Sequence, residues 1–149
     1  MKPATFFKET MAFYTGKLIG MGVPKPNETN FFFGPSVNDS PVLEVAIKNN
    51  AVYPALMVEF PDGSADSNNN TGLVETLSFG VAVIQVHSAK ASVLEIETVV
   101  YEQCKPLVDQ IIARLQKESA KRLLKSGCDF ELQLQKAYQG EWLGPIANN

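Results

Sequence analysis

The stretch from residue 73 to residue 87 restricts the fold more than any other. Leu77, Phe79, Val81 and Val83 alternate with Gly80, Ala82, Ile84 and Val86, so a strand here is apolar on both faces. Such a strand is either central in a sheet and covered twice, or it turns its second face to another molecule. The small residues Gly80 and Ala82 on that second face would let a neighbour approach closely.

Other segments carry the same period of two. Across 42–48, Leu43, Val45 and Ile47 oppose Glu44 and Lys48; across 53–60, Leu56, Val58 and Phe60 oppose Met57 and Glu59. Each pattern predicts a strand with one buried face. Across 128–138, Phe130, Leu132 and Leu134 alternate with Glu131, Gln133 and Gln135, which predicts a fourth strand. Between the second and third strands, Asp62 to Gly72 is rich in Ser, Asn and Gly and reads as a mobile hairpin loop.

Two segments follow the helical period. Phe7, Met11, Tyr14 and Leu18 make one stripe over 3–19, with Pro3 suited to a first turn and Gly20 and Gly22 to the end. The second helix is expected over 91–118, capped by Ser92 with Glu95 three residues on. Its stripe runs through Ile96, Val99, Val100, Cys104, Leu107, Val108, Ile111, Ile112 and Leu115. Pro106 lies inside it, removes one backbone hydrogen bond and should kink it. The expected order is helix, strand, strand, strand, helix, strand. That is an α+β fold, with an antiparallel sheet of about four strands and two main helices on one face. No repeat or internal domain boundary is apparent, so residues 1–149 are read as one domain.

Residues 22–41 hold Pro24, Pro26, Pro35 and Pro41 among Asn27, Asn30, Asn38 and Asp39, a composition that marks a loop. Phe31, Phe32 and Phe33 lie inside it. Adjacent residues of an extended segment point to opposite sides, so the three cannot all enter one core. Either they cap the sheet of their own chain, or at least one inserts into a neighbouring subunit.

Composition narrows the function. Apolar residues make up 45% of the 149, the ordinary share for a globular core. The net charge of −3 argues against a dedicated nucleic-acid binder. Cys104 and Cys128 read as small apolar residues in a reducing compartment, with a bridge between them as the alternative. The N-terminus lacks the pattern of a secretory signal, because Lys8, Glu9 and Thr10 interrupt its apolar residues, and no apolar run approaches a membrane span. A cytoplasmic site of assembly is expected. The N-x-S/T triplets at Asn27, Asn38 and Asn69 then carry no weight.

Catalytic and metal-binding patterns are weak. His87 is the one histidine, with no nucleophile or orienting group indicated near it. Asp62, Ser64, Asp66 and Asn68 alternate as in a calcium loop. However, Ser67 stands where that loop needs glycine and Leu73 where it needs glutamate. Gly20-Met21-Gly22 lacks the third glycine of a phosphate-binding turn and follows a helix. The carboxylates Glu44, Glu59, Asp62 and Glu75 read as solvated. Lys117, Lys121, Arg122 and Lys125 form a basic run, either a solvated helix end or a docking face. The expectation is no enzyme, no metal and no cofactor.

Three stretches carry a resemblance. One is the amphipathic N-terminal helix with the Pro- and Asn-rich segment after it. The next is Tyr53-Pro54-Ala55-Leu56-Met57-Val58-Glu59-Phe60, followed by a long polar loop and the strand Thr76 to Val86. The last is the helix carrying Val99-Val100-Tyr101 and Leu107-Val108-Asp109. Over roughly two-thirds of the chain this resembles the tail terminators, or tail-completion proteins, of lambda-like long-tailed phages, and more loosely the neck and tail ring proteins of tailed phages. The resemblance implies a structural virion protein without an active site. It implies a ring, typically of six subunits, at the head-proximal end of the tail. There the ring would stop tube polymerisation, touch the tube protein and the neck or connector proteins, and let DNA pass through its lumen without sequence-specific binding. The loop Asp62–Gly72 would then face tube, lumen or neck, and the two-sided strand would meet the next subunit.

The residues expected at interfaces are therefore Phe31, Phe32, Phe33, Asp62, Asp66, Asn68, Ile84, Val86, Lys121 and Arg122. Two other readings stand beside the ring. One is a small-ligand or enzymatic domain with the phenylalanine cluster lining a pocket, with Glu44, Glu59 or His87 converging on it. The other is a module that pairs with one partner through its sheet edge.

Overall fold

Ala55, Leu56, Met57 and Val58 are all completely buried, and the sheet is built around them. They belong to β2 (Ala51–Glu59) in a computed structural model that describes residues 3–35, 41–68, 72–121, 125–126 and 130–131. β2 lies between β1 (Thr29–Gly34), to which it is parallel, and β5 (Val81–Ile84), to which it is antiparallel. The strand covered on both faces is thus β2, and the 73–87 segment supplies an edge. Glu59 at its end had suggested a polar outer face; instead both faces of its centre are covered by helices.

One face receives α1 (Pro3–Thr15) and α4 (Lys105–Ala120). Phe7, Met11 and Tyr14 from α1 and Ile111, Ile112 and Leu115 from α4 close over Leu56 and Val58, with Phe31, Phe33, Val81 and Val83 around them. The other face receives α2 (Pro41–Asn50), whose Ile47 packs with Phe32, Ala55, Met57 and Ile84. A fully buried side chain of this kind contributes roughly 1.5–3 kcal/mol, so the two layers hold most of the fold's cohesion.

The α+β class is as expected, and so is the pairing of the two main helices on one face. The sheet differs: it has three strands and is mixed. Residues 42–48 are helical, not a strand. Leu43 and Ile47 are spaced four apart as well as alternating, and Glu44 forms an ion pair with Lys48 at 3.1 Å one turn on. Parallel neighbours such as β1 and β2 also need a long crossover, and α2 provides it. The segment read as a loop contains β1, whose aromatics alternate across the sheet: Phe31 and Phe33 join one core and Phe32 the other.

The first helix ends at Thr15, and Lys17 and Leu18 continue as tighter turns onto Tyr14 and Thr15. Gly20 follows with φ +101°. Gln110 of α4 holds this turn from both sides, accepting from the Ile19 amide at 2.9 Å and donating to its carbonyl at 3.0 Å. The expected cap is present: Ser92 accepts from the Glu95 amide at 3.2 Å, and Glu95 accepts from the Ser92 amide at 2.7 Å. Helix α3 (Val93–Thr98) leads into a π-helical turn (Val99–Cys104) and then α4. Pro106 has no amide to offer, and the chain meets the lost bond by widening the preceding turn. The Lys105 amide bonds the Val100 carbonyl, five residues back.

Lys125–Ser126 (β6) pairs antiparallel with Phe130–Glu131 (β7), the latter inside the segment expected as a fourth strand. The rest of the expected 128–138 strand, with Cys128 and Arg122, lies outside the described residues.

Candidate assembly interface

Asp62–Gly72 is not a simple loop. Asp62–Asn68 (β3) pairs antiparallel with Gly72–Ser78 (β4), from Asp62 opposite Ser78 to Asn68 opposite Gly72. A calcium loop would need to curl round an ion, whereas Asp62, Ser64, Asp66 and Asn68 sit on an extended strand. The single strand expected over 73–87 is therefore two strands, β4 and β5, separated at Phe79-Gly80.

The break comes from a bulge. The Glu59 amide donates to the Gly80 carbonyl at 2.9 Å, and the next register pair is Asp62 with Ser78. Phe60 and Pro61 together thus oppose Phe79 alone, two residues against one, which bends a ladder. Pro61 cannot donate to the ladder, which suits this point. Gly80 leaves room here for the Glu59 side chain: a β-carbon would lie 2.5 Å from its carboxylate oxygen, which would have to swing aside.

Beyond the bulge, β3 and β4 form a two-stranded ribbon of seven residue pairs. At about 3.4 Å per residue it reaches roughly 23 Å. It is fastened at its root. Phe79 packs on Phe7 with centroids 4.5 Å apart, and Phe60 meets Phe33 edge-on at 5.1 Å. Among the described residues, no helix or strand of the body makes more than marginal contact with the ribbon.

The two edges of the main sheet are finished differently. The Phe60 amide donates to the Gly34 carbonyl, which sets the phase of β1: Gly34 and Phe32 turn their backbone groups toward β2, Phe31 and Phe33 away. The Thr29 hydroxyl accepts from the Phe31 amide at 3.1 Å and donates to the Phe31 carbonyl at 3.0 Å. The chain thereby closes the Phe31 part of its β1 edge, the outward groups of Phe33 have no partner among the described residues, and Pro35 follows at once. On β5, the Glu59–Gly80 bond turns Gly80, Ala82 and Ile84 toward β2 and Val81 and Val83 outward. The outward amides and carbonyls of Val81 and Val83 have no partner among the described residues, and no charge, proline or bulge within β5 protects them.

Of the residues expected at interfaces, Phe32 and Ile84 are buried in the chain's own core, and Phe31 and Phe33 pack beside the other core. Phe32 and Ile84 are corrected to internal roles, because alternation carries them into a helix-covered layer, whereas Phe31 and Phe33 are half-buried on the edge strand β1. Val86 and Lys121 are exposed, as is Asp62 at the ribbon root, while Asp66 and Asn68 lie along β3. Arg122 lies outside the described residues. What the residue pattern did not reveal was the bulge at Phe60-Pro61, the hydroxyl closure at Thr29, and the exposed apolar ledge of Val93, Leu94 and Tyr101.

The titratable residues are dispersed. Glu59 lies at the bulge beside Gly80, whereas His87 follows the opposite end of β5, with Nδ1 2.8 Å from the Ser88 carbonyl oxygen. Glu44 is engaged by Lys48 on α2. Cys104 carries a free thiol, half-buried, and that burial raises its pKa. Among the described residues, no group of three His, Cys, Asp or Glu could hold a metal ion, and no helix is long and apolar enough to cross a membrane. No protein-family model, curated protein or solved structure matches the chain.

Proposed function

We propose that this chain is a structural protein that works by assembling with copies of itself, as a ring at the head-proximal end of a phage tail. There it would end tube polymerisation and join tail to neck. One observation carries the assembly reading: a two-stranded ribbon held at its root and, among the described residues, otherwise unsupported by the body. An isolated hairpin is marginal in water and gains stability from a further strand or a packed face. The open β5 edge of the same chain agrees with an assembling protein. The place in the tail rests on the resemblance of the 53–60 strand, the Thr76–Val86 segment and the Val99–Asp109 helix to tail terminators.

The pocket reading is the weaker one, since Phe32 is buried in one core and Phe31 and Phe33 pack beside the other. Solution mass by light scattering over a range of concentrations, with and without tail tube protein, tests the proposal. A closed oligomer near six subunits, or one that forms on tube ends, supports it; a monomer that ignores the tube overturns it.

A further inference from the structure

We infer that the β5 edge of one copy receives strand β4 from the ribbon of the next copy, so that the sheet runs on from β1-β2-β5 into the neighbour's arm. This deepens the assembly reading and rests on it. The acceptor is defined by backbone chemistry. Val81 and Val83 turn amides and carbonyls outward without partners among the described residues, while the opposite edge is closed at Phe31 by the Thr29 hydroxyl. Among the described residues the main sheet therefore has both outward residues of β5 open, Val81 and Val83, whereas at the β1 edge the Phe31 groups are closed and those of Phe33 are open.

The donor is defined by what the ribbon lacks. Two strands alone are marginal, and a third makes a ribbon independently stable. The chain cannot complete its own edge this way, because β4 runs through Phe79-Gly80 directly into β5 and so lies end to end with it. A second copy supplies what the first cannot, and each copy carries one donor and one acceptor. Head-to-tail pairing of that kind closes into rings when the rotation per subunit allows. Of the two ribbon strands, β4 suits the acceptor. It carries Leu73, Val74 and Leu77 with one carboxylate, Glu75, to set beside Val81, Val83 and Ile84, whereas β3 would bring two, Asp62 and Asp66, and no large apolar residue. Placing carboxylates there without cations would be unfavourable.

Three protein samples and amide exchange test this. Wild type, examined by light scattering, reports whether the chain self-associates at all. In the second, Asp62–Ser78 is replaced by Asn-Gly; circular dichroism checks that the body folds, as expected from the ribbon's isolation. The third, Val83→Pro, removes an outward amide and leaves the bonds to β2 in place. Wild type should associate, each variant alone should stay monomeric, and a mixture of the two should form a 1:1 pair, one bringing the edge and the other the ribbon. In wild type, the Val81 and Val83 amides should exchange on the order of tenfold more slowly in concentrated than in dilute solution.

Assembly of the ribbon-deleted chain would overturn the inference while leaving self-association intact, and would point to pairing of β5 with itself. Unchanged exchange at Val81 and Val83 in associated wild type would overturn it without reliance on any variant. A wild type monomeric at every concentration would overturn both the inference and the reading beneath it.

Discussion

Replacing Tyr14 by Phe should cost stability at neutral pH and also change how stability falls at high pH. The Tyr14 ring is buried between α1 and α4, and its hydroxyl donates to Glu118 of α4. Arg114 pairs with the same carboxylate at 3.4 Å and lies over the Tyr14 ring, 5.5 Å from its centroid. A hydrogen bond to a charged acceptor contributes about 1.5–3 kcal/mol. Glu118 keeps Arg114 and some solvent in the variant, so the lower half of that range applies, about 1.5–2 kcal/mol. For a chain of this length that lowers Tm by about 3–8 °C.

The pH dependence is the sharper part. Burial, and then the hydrogen bond to Glu118, hold the phenol well above its ordinary pKa. A group whose pKa is higher folded than unfolded contributes stability that is fully present below its unfolded value. That contribution is lost as pH rises toward the folded value. Wild type should therefore lose stability above about pH 10, the ordinary tyrosine value, by at most about 1.4 kcal/mol per pH unit from this residue. The Tyr53 phenol, also raised by burial, adds a smaller loss in the same direction and is common to both proteins. Urea titrations at steps from pH 8 to pH 11 measure the slopes. Tyr14→Phe should start lower and decline less steeply above pH 10. Parallel curves for the two proteins across that window would refute the argument from the buried phenol.

Other substitutions probe separate parts of the fold. Gly22→Ala should destabilise by about 2 kcal/mol or more, read as a fall in the urea midpoint, because strained packing costs on this scale. The new β-carbon would meet the Tyr53 carbonyl oxygen at 2.8 Å, and backbone cannot turn away as a side chain can. Ser92→Ala removes the capping box and should cost about 1 kcal/mol. Since α3 buries none of its residues, the loss should appear as roughly fivefold faster amide exchange over 93–98 instead of a large change in global stability. Thr29→Val keeps the side-chain shape but releases the Phe31 amide and carbonyl. Light scattering should show stronger concentration-dependent association than in wild type, with little change in Tm.

The parts of the fold legible from sequence were those decided by neighbours along the chain. Ser92 and Glu95 are three residues apart and satisfy each other wherever the helix goes, so the cap could be read directly. The stripe Phe7, Met11, Tyr14 needs only a helical period and one apolar layer. The segment around residue 45 shows where local reading fails. Leu43, Val45 and Ile47 fit a strand, but the same residues with Glu44 and Lys48 also fit a helix. What separates the two is that β1 lies parallel to β2 and needs a crossover, a fact about residues about twenty-five positions apart in register. Phe31–Phe33 shows a related failure. Proline and asparagine on both sides signal a loop, yet the three rings become regular once there is a layer of helices on each face to receive them.

The candidate interface was legible only as a residue inventory, because what makes it a candidate is the state of backbone groups. The sequence shows Val81 and Val83 as apolar residues in a strand, and they do pack beside the core through their side chains. Their amides lie in the plane of the sheet and point away from β2, and that direction is set by a bond between Glu59 and Gly80, in a strand pair whose phase a local pattern does not carry. The same holds for Thr29, which reads as an ordinary β-branched residue until its hydroxyl is found closing the Phe31 edge. In this chain side-chain periodicity determines what is inside, while hydrogen-bond phase determines which edge stays open to a partner. A ring built by strand addition would thus tolerate apolar exchanges within the cores and be sensitive to one-residue shifts at Phe60-Pro61. Such a shift would change the register of the ribbon relative to the β2–β5 pair, whose phase the Glu59–Gly80 bond keeps.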